Sequence, residues 1–186
     1  MNRDEMSLMN SYDWSLLQRV YGFGELFLEM VFDEDSETAE FRAGMEEFPD
    51  ELEYFDYDLF HYQAGVNLGN DTTGQFEPAT QTLRVADAVP EDSVILHEMI
   101  HLHEYVLNQL SSYFREIVLY VLYRKLSGKI SDLDARILSF GHIGQETLLQ
   151  EQGSTHGLLF LLKSFDLDLR MGYPLGTVFG YGMADA

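Results

Sequence analysis

His97-Glu98-Met99-Ile100-His101 sets two imidazoles four residues apart, with a carboxylate beside the first. On a helix, residues four apart share a face, so His97 and His101 can converge on one metal ion. Glu98 can then reach a water held by that ion. Two His ligands and a neighbouring carboxylate base suit metal-assisted hydrolysis of an amide. The competing reading is a chance match, with His and Glu on a solvated helix face. The neighbours oppose it. Val94, Ile95, Leu96, Met99, Ile100 and Leu102 wrap the polar pair in apolar surface, and a buried His-Glu-His set without a partner is costly. His61 and His103 are read as surface or packing residues. His103 falls two positions after His101 and faces elsewhere on a helix.

A catalytic zinc usually takes three protein ligands and keeps one position open. The third ligand must come from downstream, where Glu146, Glu151 and His156 are the main candidates, with His142 a further one. One unbroken helix over 143–165 would put Thr147, Glu151, Ser154, Leu158, Leu162 and Phe165 on an apolar side. Gln145, Gln152, His156 and Lys163 would share the polar side. A carboxylate among apolar side chains needs a partner, which favours Glu151. A break at Gly153 reverses the argument. Ser154 or Thr155 could cap a new helix beginning at His156, and the imidazole would then be free to aim at the metal.

His156-Gly157-Leu158-Leu159-Phe160, downstream of His97-Glu98-Met99-Ile100-His101, resembles the second motif of the SprT/Spartan-like metallopeptidases. Their pattern is His-Glu-x-x-His followed by His-Gly-x-x-Phe. The resemblance implies a zincin fold, a Zn2+ cofactor, a peptide or protein substrate, and His156 as third ligand beside His97 and His101. It also implies that Gly157 allows a close helix approach and that Phe160 packs one turn on. It spans roughly residues 55–165, but its specific part is the two motifs. Here 54 residues separate His101 from His156, which the resemblance would make an inserted helical hairpin. A second resemblance competes: Glu151-Gln152-Gly153-Ser154-Thr155 is similar to the ImmA/IrrE-like gluzincins, and implies Glu151 as the third ligand.

Elements must position these groups. Pro90-Glu91-Asp92-Ser93 reads as the start of the motif helix, with an early Pro and acidic residues for the helix dipole. Residues 11–32 read as an amphipathic helix on Trp14, Leu17, Tyr21, Leu28 and Phe32, and 38–48 as a short helix ending before Pro49. The aromatic run 54–62 and the stretch 75–85 read as strands, with a turn in the Gly-rich 65–74 and a bend at Pro78. They predict a small antiparallel sheet ahead of the motif helix. Helical patterns continue over 104–126, 132–140 and 145–162, and 170–181 is loop-rich. The fold class is α+β: a helix-dominated, zincin-like single domain over 1–186.

Composition bounds the rest. The chain has 186 residues and no Cys, so it can bury roughly 70% of its unfolded surface and holds neither disulfides nor a Cys-ligated zinc ribbon. The N-terminus lacks the basic start and apolar run of a signal peptide, and no apolar run reaches the ~20 residues of a membrane span. The expectation is a cytoplasmic protein. Asp and Glu total 32 against 11 Lys and Arg, a formal charge of −21. Such a chain repels nucleic acid and anionic membrane, so no nucleic-acid or membrane partner is expected. The sequence leaves the oligomeric state open. The expected function is a zinc-dependent metallopeptidase with Glu98 as general base. The alternative is a catalytically silent binding module on the same fold.

Overall fold

A computed structural model describes residues 13–32, 56–69, 71–109, 112–141 and 156–180. Six helices and three strands are found there: α1 Trp14–Phe32, β1 His61–Ala64, β2 Gly74–Glu77, β3 Thr82–Val85, α2 Asp92–Gln109, α3 Ser112–Ser127, α4 Leu133–Gly141, α5 Leu158–Met171 and α6 Thr177–Gly180. The class is α+β with helix dominant, and the buried apolar side chains of all these regions form one core cluster.

The sheet is mixed rather than antiparallel. Its order is β1-β3-β2, with β1 parallel and β2 antiparallel to β3. Residues 65–73 join β1 to β2, and β3 enters between those two strands. Pro78 does not bend a strand. It lies in the tight turn between β2 and β3, where Gln81 takes a positive φ of 50° and its N–H donates to the Pro78 carbonyl. Nor is the aromatic run a strand throughout: Tyr57–Leu59 forms a 3-10 turn capped by the Asp56 carboxylate.

Helix α1 exists, but its inward face differs from the sequence reading. Leu16, Leu17, Val20, Phe27 and Met30 are buried, whereas Trp14 and Tyr21 are 68% and 45% exposed. Both are large enough to dominate a periodicity count, yet neither fits the core side. The helical pattern over 104–126 is found in the described residues on either side of 110–111, as the end of α2 at Gln109 and the start of α3 at Ser112. Between His101 and His156 lie α3 and α4, joined by a short turn and tied by the Tyr123 hydroxyl donating to Asp134 at 2.7 Å. The 38–48 helix, and the part of the 145–162 helix before His156, lie outside the described residues. The loop-rich C-terminal stretch is shorter than expected, because α5 runs to Met171 and a further turn of helix forms at Thr177.

Three ties hold the site-bearing helices. Arg19 of α1 donates to the Pro90 carbonyl at 2.7 Å and pairs with Asp92, fixing the entry to α2. Asp166 of α5 takes Lys125 of α3 at 3.2 Å and Arg170 at 2.7 Å. His103 of α2 is buried, stacked on Phe27 at 4.2 Å, with its Nε2 3.2 Å from the Tyr57 hydroxyl. It is a packing residue. No helix of the described residues is long and apolar enough to cross a membrane.

Candidate metal centre

His97 and His101 stand on adjacent turns of α2, with ring centroids 5.1 Å apart. Burial of this helix follows from its sequence: Val94, Ile95, Leu96, Met99, Ile100 and Leu102 are all buried. Together they carry the two imidazoles into the core.

His156 comes to the same place from the other end of the cluster. Its Nε2 lies 3.0 Å from the Nε2 of His97, and its ring centroid is 4.9 Å from that of His101. His156 does not begin a helix as the sequence reading has it. It sits in a bend, followed by Gly157 in an extended conformation (φ −80°, ψ −172°) as the N-cap of α5. The unbroken helix over 143–165 is therefore excluded, and with it the division into apolar and polar sides. Lys163, placed on the polar side, is buried with Leu162 and Phe165. Gly157 serves as that cap rather than as a close approach, since a Cβ there would meet nothing within 4 Å. Glu146, Glu151, His142 and the Gly153 break lie outside the described residues.

The three histidines each offer one ring nitrogen, and these atoms all lie within 4.8 Å of one another, close enough to hold a metal ion. Phe160 forms the floor. Its ring is fully buried and lies 4.7, 4.7 and 4.6 Å from the rings of His97, His101 and His156.

Electrostatics favours ligand-competent imidazoles. Burial pushes His97 down to about 4 and His101 to about 3, and lowers His156 as well. A metal ligand must be the neutral imidazole, and at neutral pH all three are. The tautomer of His97 is fixed too. Its Nδ1 meets the Val178 carbonyl oxygen at 2.8 Å. A carbonyl only accepts, so Nδ1 carries the proton and Nε2 presents its lone pair to the cluster. This is the outer-shell bond that metal-ligating histidines commonly make.

Glu98 is 2% exposed, and its side chain packs on the first residue of β2. A Cβ at Gly74 would come within 2.7 Å of the Glu98 Oε1 and 2.8 Å of its Cγ. A side chain on this residue would have to displace the Glu98 side chain.

Comparison with known proteins gives no match to a family model, a curated protein or a solved structure. The site therefore stands on its own geometry.

Sequence reasoning missed Asp168 and the 176–178 turn. Asp168 is fully buried and accepts from the N–H groups of Gly176 at 2.7 Å and Val178 at 3.0 Å. The signal was present: the argument used for Glu151, a carboxylate among apolar side chains, applies equally to Asp168.

Proposed function

We propose that this chain is a zinc-dependent metallopeptidase, with His97, His101 and His156 as zinc ligands and Glu98 as general base. The observation that carries the reading is the convergence of the three imidazoles. Zinc–nitrogen bonds of ~2.0–2.1 Å in a tetrahedral site put ligand nitrogens ~3.3 Å apart. The separations in the structure, 3.0 Å for one pair and at most 4.8 Å for any, need only small side-chain adjustments to reach that value. Neutral imidazoles are borderline donors suited to zinc, and three of them leave a fourth position open.

Bound zinc would supply Lewis acidity, polarising a carbonyl oxygen and lowering the pKa of water toward ~7. The protein supplies the rest. His97, His101 and His156 hold the ion. Glu98 takes a proton from the attacking water at its carboxylate and returns it to the leaving amine. Phe160 backs the imidazoles with apolar surface and keeps water off their inner side. Both motifs that resemble the SprT/Spartan-like peptidases, His97 to His101 and His156 to Phe160, contribute to this one cluster. An extended peptide substrate would pair with a sheet edge. The strand next to α2 in sequence, β3, is central and has no free side. Of the described strands, β2 is the edge whose first residue touches Glu98, so β2 is the strand proposed to hold substrate.

The test is hydrolysis of a mixed peptide library by zinc-loaded protein. Glu98→Gln should keep its zinc and lose activity by about 10²–10⁴-fold. Zinc-loaded wild type that cleaves no peptide or protein would reject the peptidase reading.

A further inference from the structure

Two hydrogen bonds in series run from the C-terminal end of α5 to the metal centre. Asp168 accepts from Gly176 N–H and Val178 N–H through its two carboxylate oxygens. The carbonyl of Val178 then accepts from His97 Nδ1 at 2.8 Å. We propose that Asp168 is a positioning residue for the metal centre: by fixing the backbone on the N-terminal side of Val178, whose carbonyl lies on the next peptide unit, it holds His97 in the Nδ1–H tautomer and aims Nε2 at the cluster. The proposal rests on the three histidines being ligands, but on nothing about peptide cleavage.

The chemistry favours a carboxylate here. An ionised acceptor binds backbone N–H groups about twice as strongly as a neutral one, and both oxygens are engaged. The turn has little freedom otherwise. Gly176 has a φ of +95°, and a Cβ there would strike the Phe140 ring at 2.3 Å, so this conformation requires glycine. The Tyr173 N–H donates to the Asp168 carbonyl at 2.8 Å, which joins the turn to the helix end through the same residue. Burial raises the Asp168 carboxyl to about 6, against the pull of the backbone N–H groups. At neutral pH it is ionised and able to accept both bonds.

A merely structural carboxylate on the same helix provides the control. Asp166 is buried as well, and its carboxylate takes Lys125 and Arg170. The experiment compares wild type, Asp168→Asn and Asp166→Asn by nitrogen-15 NMR of the histidine rings in zinc-free protein, and by zinc titration. The wild type should show His97 protonated at Nδ1. Asp168→Asn should populate the Nε2–H form and bind zinc about 10- to 100-fold more weakly. Asp166→Asn should lose stability yet keep both the tautomer and the affinity. Equal tautomers and equal affinities in wild type and Asp168→Asn would overturn the proposal. So would an Nε2–H tautomer in the wild type, a result that needs no variant to fold. Wild type that takes up no zinc but shows the tautomer shift in Asp168→Asn would reject the metal reading and leave the positioning of His97 standing.

Discussion

The Nε2 atoms of His97 and His156 meet at 3.0 Å, although the two residues are 59 positions apart in sequence. Two imidazole nitrogens at this distance are compatible in two ways. One donates a proton to the other, or both present lone pairs to one cation. His97 already spends its proton on Val178, so its Nε2 presents a lone pair, which takes the His156 proton in the metal-free protein and a shared cation in the loaded one. Alanine at His156 should therefore weaken zinc binding by at least tenfold, measured by competition with a chromogenic chelator. Glu151→Ala should leave the affinity within about twofold. The opposite pattern would make Glu151 the ligand and restore the gluzincin resemblance.

Gly74→Ala should act on Glu98 without disturbing the ligands. The added methyl would overlap the Glu98 side chain and approach Val94 at 3.0 Å. Overpacking of this kind costs about 1–3 kcal/mol. The expected result is a lowered denaturation midpoint and a fall in kcat, with zinc content unchanged. A variant as active and as stable as wild type would show that Glu98 does not need this contact.

The motif helix and its inward imidazoles were legible because a local pattern determines them. His97 and His101 share a face by helix geometry alone, and the apolar run around them forces burial. His156 was legible only through the second motif. Its position depends on a chain reversal before α5 that no periodicity records, and face counting assumed one helix where Gly157 is extended. Strand order is likewise non-local: nothing in the 65–73 connection announces that β3 will enter beside β1. Asp168 was legible only as a carboxylate among apolar residues; its partners are backbone groups eight and ten residues on, and backbone donors leave no mark in a sequence.

The stability of the zinc-free protein should carry a signature of Asp168. Its folded value is raised from 3.8 to about 6, so between those values the native state binds the proton more tightly than the unfolded chain. By linkage, stability then rises as pH falls through this window. Urea melts of wild type and Asp168→Asn at pH 7, 6, 5 and 4 isolate the effect. Wild type should gain stability relative to the variant from pH 6 to pH 4. A relative loss over that range would mean that the two N–H bonds outweigh burial.

Duplex DNA should not bind. A formal charge of −21 opposes the counterion release that drives such binding. Fluorescence anisotropy at physiological salt should show no complex at micromolar protein. A salt-sensitive submicromolar complex would reverse this and point to DNA-linked substrates.

The central claim is that one zinc ion sits among His97, His101 and His156. A crystal structure grown with zinc, with anomalous diffraction recorded on both sides of the zinc absorption edge, tests it most directly. The account predicts one strong peak per chain, with a nitrogen of each of the three imidazoles at ~2.0–2.1 Å. The Nδ1 of His97 should remain on Val178, and Glu98 should lie outside the coordination shell. No peak at the cluster, or a peak whose third protein ligand is a carboxylate in place of His156, would contradict it.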